Sequence, residues 1–205
     1  MSEMDLPGFG RRPLMASAAA FGALGAGWYP AKAIGAPEVV ALWPGPPPGG
    51  GGPQGPLRTT HNGAVDHIAM PCMLVYRPDQ PNGSAVLVAG GGGYKHIGLR
   101  AEAEPAASWL VAHGITAFVL IYRLPREGWV DGRRVALQDA QRAVRLTRAR
   151  AGYYGVRPNR ISVLGFSAGG HLMGLTADWS EFHAYPPVDS VDFLSARPEI
   201  GRAHV

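Results

Sequence analysis

The stretch from Arg160 to Leu175 reads RISVLGFSAGGHLMGL. It begins as an apolar, β-prone run and ends in a run typical of a helix, with one serine, Ser167, between them. Gly165 and Gly169 flank that serine in the spacing G-x-S-x-G, which lifts a serine hydroxyl above a sheet when a strand precedes it and a helix follows. The sequence therefore predicts a nucleophilic Ser167 on a sharp turn, with Gly165 and Gly169 small because helix and strand pass close together.

A different interpretation of the same stretch is a glycine-rich turn whose serine only caps the following helix. The pattern alone has false positives, so its context decides. A helix that starts after Ser167 would point its free N–H groups at the serine, where they would stabilise a developing oxyanion. We therefore favour the nucleophile over the cap.

A second glycine run supports a ligand site. In VLVAGGGGYKHIG, residues 86–98, four glycines directly follow an apolar run, which allows backbone N–H groups to come close to a ligand. Phosphate binding is the rival interpretation, but Tyr94 rather than glycine precedes Lys95, and the spacing does not match G-x-G-x-x-G. The sequence therefore argues against a nucleotide site.

Apolar runs alternate with helical patterns, which predicts an α/β protein with a mostly parallel sheet covered by helices on both faces. We expect an amino-terminal hairpin formed by residues 67–77 and 85–89, joined by the turn PDQPNGS. The other predicted elements are strands at 39–43, 115–124 and 161–166 and helices at 102–113 and 135–151. Residues 44–56 are nearly all glycine and proline, and we expect low order there.

The composition is that of one globular domain, with 46% hydrophobic and 17% charged residues among 205. The net charge of +4 comes from scattered arginines, which we interpret as solvated helix faces rather than a nucleic-acid-binding surface. These are Arg123, Arg126, Arg133, Arg134, Arg142, Arg145, Arg148 and Arg150. The single cysteine, Cys72, lies in the apolar run IAMPCMLVY and is expected to be a buried, unreactive thiol.

The amino terminus is similar to a twin-arginine export signal. Arg11 and Arg12 precede a weakly apolar, glycine-containing run at 14–29, and AKA at 31–33 offers a small-residue cleavage site. A membrane anchor is the alternative, but the run is shorter than the roughly 20 apolar residues that a span requires. We expect residues 1–33 to direct export to the periplasm or beyond, with no stable membrane insertion after their removal.

With both glycine motifs in place, residues 85–198 resemble the esterases of the α/β-hydrolase fold, in the branch of acetylxylan esterases and related carbohydrate deacetylases. The matching stretches are GGGGY, GITAFVLIYRLP, ALQDAQRAVRL, GFSAGGHL and LSARP. The resemblance implies that Ser167 is the nucleophile and that the N–H groups of Gly92, Gly93 and Ala168 bind the oxyanion. Gly90 stands where the family's HGGG pattern has histidine, which leaves the glycine register open by one residue. The resemblance implies no metal and no cofactor, and the expected partner is a small-molecule or polysaccharide ester.

The acid and base that such a serine needs are harder to find. The fold's order is Ser, then Asp or Glu, then His, and Asp178, Asp189 or Asp192 followed by His204 satisfies it, but the tail shows no strand pattern to carry them. The other histidines have more ordinary interpretations. We expect His171 to pack or line the pocket and His183 to be an ordinary loop residue. For His96, contact with substrate near the glycine loop is the alternative, but we favour solvent exposure.

The last six residues, IGRAHV, resemble the in-frame translation of a common sequencing adapter. The sequence therefore predicts an export signal at 1–33, a Gly/Pro-rich segment at 34–66, a partial hydrolase domain at 67–199 lacking its carboxyl-terminal strands, and an adapter-derived tail at 200–205. The predicted function is a serine carboxylic-ester hydrolase that deacetylates xylan or related oligosaccharides. A serine peptidase of the same fold and a non-catalytic exported binding protein are the alternatives.

Overall fold

The computed structural model describes residues 35–204, with the backbone alone for residues 200–204. The predicted export signal at 1–33 lies outside the described residues. Across 35–204, every helix is too short or too polar to cross a membrane.

Six strands form the main sheet. They are β1 Glu38–Ala41, β4 Cys72–Tyr76, β5 Ala85–Ala89, β6 Thr116–Ile121, β7 Ile161–Phe166 and β8 Ile200–His204. Their spatial order is β1-β4-β6-β5-β7-β8; β5 to β8 run parallel, while β1 and β4 are antiparallel additions at one side. The short strands β2 Arg58–Thr59 and β3 Val65–Asp66 pair separately. This is the mostly parallel α/β architecture that the sequence predicted.

Three helices cover the sheet: α1 Glu104–Ala112, α2 Val135–Ala149 and α3 Ala168–Asp178. Pro105 lies in the first turn of α1, and Gly114, with φ +74°, follows its end, which are the residues favoured at those positions. The connection from β5 to β6 runs in one direction along the sheet, and those from β6 to β7 and β7 to β8 run in the other. Right-handed crossovers therefore place α1 on one face and α2 and α3 on the other.

The centre of the sheet is the most deeply buried part. All six residues of β6 are buried, as expected for an apolar strand with both faces covered. The hairpin predicted from residues 67–77 and 85–89 is wrong, because β6 lies between β4 and β5 and pairs with both. The hairpin was predicted from the turn residues between the two strands. The long apolar β6 is better suited to the buried centre of the sheet, and it separates β4 from β5.

Residues 200–204 form a strand, although their sequence predicted none. They pair in parallel with β7, from Ser162 opposite Ile200 to Phe166 opposite His204. An unpaired edge of β7 offers a row of N–H and C=O groups that an extended segment can satisfy, whatever its side chains. That these residues derive from an adapter stays a prediction.

The Gly/Pro-rich segment is tied down rather than loosely ordered, which corrects the expectation for residues 44–56. It lies against the loop after β6: Gly52 N–H donates to the carbonyl of Gly128 at 3.1 Å, and Val130 N–H donates to Gly50 at 3.0 Å. The segment cannot form a regular ladder, but single backbone hydrogen bonds hold it across the carboxyl end of the sheet.

Three of the arginines expected on solvated faces are buried. Arg123, at the end of β6, is fully buried and pairs with the fully buried Asp139 of α2 at 2.8 Å. Asp139 also accepts a hydrogen bond from the indole of Trp43 at 2.9 Å. The interpretation of Arg123 as solvated is therefore wrong, because a charge can be buried when its partner and hydrogen bonds are buried with it.

Arg142 and Arg145 of α2 are the other two. Arg142 contacts Asp192 at 2.9 Å and Asp189 at 2.6 Å, and the hydrogen bond from Arg142 to Asp189 holds the pKa of Asp189 below its usual range. Arg145 donates to the hydroxyl of Tyr185 at 2.8 Å. These bonds anchor the segment after α3 to α2, which accounts for the almost complete burial of that helix.

Cys72 is half-buried in β4 and packs against the core. Burial, with a smaller contribution from the charge of Asp139, raises its pKa to about 11. Because the thiolate is the reactive form, this thiol is largely unreactive near neutral pH, as the sequence predicted.

We expect Asp139→Asn to lower the free energy of unfolding by about 3 to 5 kcal/mol, since it leaves Arg123 buried without a countercharge. Asp66→Asn is the matched control, because its partner Arg58 is largely exposed and such pairs contribute about 0 to 1 kcal/mol. Urea unfolding of both variants measures the difference. Equal losses of stability in the two variants would contradict the prediction that the buried pair contributes more to stability than the exposed pair.

Candidate active site

Ser167 occupies a backbone conformation that serine rarely adopts. It lies between β7 and α3 with φ +48° and ψ −117°, outside the main allowed regions. Ser167 is exposed, and its side chain makes no capping hydrogen bond to α3. The interpretation of Ser167 as only a helix cap is therefore wrong. Such strain persists only when the surrounding structure enforces it, and it is concentrated at functional sites.

Close packing around Ser167 enforces the turn. A carbon added at Gly165 would lie 2.3 Å from the carbonyl oxygen of Gly169, and one added at Gly169 would lie 2.2 Å from that of Ala89. Real side-chain carbons do not come this close to backbone oxygen, so neither position accepts a side chain. The start of α3 therefore rests directly on the ends of β5 and β7.

The glycine loop, residues 90–93, follows β5 and lies beside this turn. β5 and β7 are neighbours whose connections leave in opposite directions, which makes the gap between them the topological switch point of the sheet. Ligands of open α/β sheets bind at the carboxyl ends of the strands at such a point. A carbon added at Gly91 would lie 3.0 Å from Cβ of Ser167, so loop and serine are in contact.

The backbone groups of the glycine loop divide into two sets. The carbonyl of Gly90 accepts from the Tyr122 hydroxyl at 2.8 Å, and the N–H of Gly91 donates to Oε2 of Glu102 at 2.6 Å. Among the side chains of 35–199 and the backbone of 35–204, by contrast, no acceptor bonds to the N–H groups of Gly92, Gly93 and Ala168. These three are the groups that the family resemblance assigns to oxyanion binding, and that role stays a prediction.

Tyr94 links the loop to the helix that carries Ser167. With φ +58° its backbone is left-handed, and its hydroxyl lies 2.8 Å from Nδ1 of His171 in the first turns of α3. Burial raises the pKa of Tyr94 to about 12, and the pKa of Tyr122 is also raised, first by burial and then by the nearby Tyr94 and Glu102. Both phenols therefore stay protonated near neutral pH.

None of the histidines with described side chains is hydrogen-bonded to Ser167. His171 bonds to Tyr94 and is exposed rather than packed. His96 is exposed as predicted, and His183 is an exposed loop residue, also as predicted. The side chain of His204 lies outside the described residues.

The carboxylates proposed from sequence order are engaged elsewhere. Asp189 and Asp192 bind Arg142. Asp178 is the last residue of α3, at the end of the helix opposite Ser167. Among the side chains of residues 35–199, no group of three or more metal-ligating residues comes together.

The sequence missed three residues that shape the site: Tyr94, Glu102 and Tyr122. Tyr94 ends the quoted GGGGY stretch, so its position beside the loop could have been found. Glu102 and Tyr122 reach the loop from other elements, and no local pattern indicates that contact.

Comparison with known proteins identifies relatives of this chain. The BD-FAE family profile matches residues 73–186, more than half of the chain. An acetylxylan esterase of Xylanibacter ruminicola is 33% identical over 127 residues, covering 58% of this chain and 26% of the relative. The chain thus spans about a quarter of the length of that curated relative.

Solved structures show the same fold. An acetyl ester-xyloside bifunctional hydrolase from Caldicellulosiruptor lactoaceticus superposes with a TM-score of 0.62 at 33% identity, over 82% of this chain and 57% of the other. Thermogutta terrifontis esterase 2 superposes with a TM-score of 0.57 at 21% identity, over 80% of this chain and 54% of the other, which is a likeness of fold. By its sequence and its fold, this chain belongs to the BD-FAE family of α/β-hydrolase esterases.

Proposed function

We propose that this chain carries the nucleophile and the oxyanion-binding groups of a serine carboxylic-ester hydrolase. One observation supports this most directly. The strained, exposed Ser167 stands at the switch point of the sheet, beside a glycine loop whose Gly92 and Gly93 N–H groups have no described acceptor. Free donors next to a raised serine suit a reaction in which negative charge develops on a substrate oxygen.

In the proposed reaction, Oγ of Ser167 bonds to the ester carbonyl carbon while its proton passes to a base. The carbonyl oxygen becomes an oxyanion, which the N–H groups of Gly92, Gly93 and Ala168 stabilise. Collapse of the intermediate breaks the bond to the alcohol, which takes the proton and leaves. Water then repeats the sequence on the acyl-serine, releasing the acid and restoring the hydroxyl.

We place the base, a histidine oriented by a carboxylate, outside the described residues. No described histidine nitrogen lies within hydrogen-bond distance of Ser167 Oγ. The chain spans 57% of the solved bifunctional hydrolase and 26% of the acetylxylan esterase, so the whole proteins have further segments that could supply both groups.

For the substrate, we propose acetyl or similarly short acyl esters on xylan or its oligosaccharides. Two relatives at 33% identity carry names that specify acetylxylan or acetyl and xyloside bonds. The proposed steps require neither a metal ion nor an organic cofactor.

A fluorophosphonate probe tests the nucleophile without needing turnover. We expect prolonged incubation to form a phosphorus–oxygen bond to Ser167 with loss of fluoride, detected by mass spectrometry on the peptide that contains it. Ser167→Ala should abolish the adduct, and Ser108→Ala, which removes a hydroxyl from α1, should leave it unchanged. An adduct on another residue, or equal labelling of the wild-type chain and Ser167→Ala, contradicts the proposal.

Turnover by the purified 205-residue chain should be weak. Oxyanion binding alone leaves about 10³- to 10⁴-fold acceleration over water when a triad member is absent, and we expect 4-nitrophenyl acetate hydrolysis within that range. The Ser167→Ala variant serves as the reference. A rate near the roughly 10 per second typical of enzymes would show that this chain already holds a working base.

We also propose that the protein is exported, to the periplasm or beyond, through the twin arginines at positions 11 and 12. Fractionation of a bacterium expressing the chain should place it outside the cytoplasm, shortened by about 33 residues as the cleavage site predicts. Replacing Arg11 and Arg12 together by lysine should retain it inside. Matched replacement of Arg133 and Arg134 by lysine is the control, and equal export of both variants would refute this route.

A further inference from the structure

Glu102 reaches the glycine loop from a rare backbone arrangement. It lies in a π-helical turn, Leu99–Ala103, that precedes α1, and Ala103 N–H donates to the carbonyl of Gly98 at 3.3 Å. Such turns are uncommon and are frequent at functional sites. The wider turn directs the Glu102 side chain towards Gly91 rather than along the surface of α1.

Two glycines make room for that carboxylate. A carbon added at Gly98 would lie 2.9 Å from Oε2 of Glu102, so a side chain at this position would displace the carboxylate. A carbon added at Gly91 would lie 3.2 Å from the same oxygen and 3.0 Å from Cβ of Ser167. Gly91 is therefore the residue at which Glu102, the glycine loop and the serine turn meet.

The loop needs an external constraint. Four consecutive glycines have soft backbone torsions, and fixing them costs more conformational entropy than fixing any other residue type. Gly91 is buried, so removal of the Glu102 carboxylate would leave its N–H without a hydrogen-bond partner. A buried donor without a partner carries an uncompensated desolvation penalty, which favours a different loop conformation. Its carbonyl is also taken, by Gly98 N–H at 2.8 Å.

We propose that Glu102 is a positioning residue for the oxyanion site. By accepting the N–H of Gly91, its carboxylate holds the loop in the one register that leaves the next two N–H groups, those of Gly92 and Gly93, free for substrate. The bond is of the charge-assisted kind, which is shorter and stronger than one between neutral groups. The link to an oxyanion rests on the proposed function, but the ordering of the loop does not.

Hydrogen exchange of the loop tests this directly. In Glu102→Ala we expect the amides of residues 89–98 to exchange at least about tenfold faster than in the wild-type chain, through local opening. Glu102→Gln should stay within about threefold of wild type, because an amide oxygen also accepts a hydrogen bond. Glu102 lines a cavity of about 130 Å³ together with Asn62, Ala64 and His96, so truncation there leaves the core intact.

Glu104 provides the matched control. It lies two residues further on and contacts the Tyr76 hydroxyl at 3.5 Å instead of the loop. Glu104→Ala and Glu104→Gln should leave exchange of residues 89–98 unchanged. Unchanged exchange in Glu102→Ala, or exchange in Glu102→Gln as fast as in Glu102→Ala, would overturn the proposal.

The rate of Ser167 labelling by the fluorophosphonate gives the second measurement. Misplaced oxyanion donors cost about 10²-fold, so we expect labelling to slow to that extent in Glu102→Ala and to recover in Glu102→Gln. Slower labelling with unchanged exchange would overturn the positioning role. If the wild-type chain is labelled on another residue while exchange behaves as expected, the esterase proposal fails and the ordering of the loop by Glu102 stands.

Discussion

The contact between the first turn of α3 and the ends of β5 and β7 is the constraint on which the site depends. Gly169 sits against the carbonyl of Ala89, and Gly165 against that of Gly169, so the chain can pass from strand to helix only through a sharp turn. That turn forces Ser167 into a positive φ and keeps it exposed. The strain is offset by the packing of two buried strands and a helix, which the rest of the sheet stabilises.

The sequence predicted those parts of the fold that depend on local patterns. The apolar run of β6, the helix at α2 and the glycine-flanked Ser167 each contain their own signal, within a window of fewer than twenty residues. The α/β class followed from their alternation. Strand order did not, since nothing local distinguishes a β4–β5 hairpin from two strands separated by β6.

The parts that sequence reasoning missed depend on partners that are distant in the chain. Arg123 and Arg142 resemble surface arginines until Asp139 and Asp192 are placed beside them. Glu102 likewise resembles an ordinary acidic residue near a helix start, and only the tertiary structure brings it to Gly91. Whether a charged side chain is buried depends on the partner that it meets in the folded structure. Local sequence spacing does not identify that partner.

The segment from β1 to Trp43 also bears on the order in which the chain can fold. Trp43, the carbonyl of Leu42 and Glu38 bond to Asp139, Arg142 and Tyr154, at separations of 96, 100 and 116 residues. Contacts of such long range slow folding, because a large loop must close before they form. During synthesis from the amino terminus, β1 can pair with β4 once residues 72–76 have emerged, whereas these three contacts wait for residues 139–154 and are among the last to form.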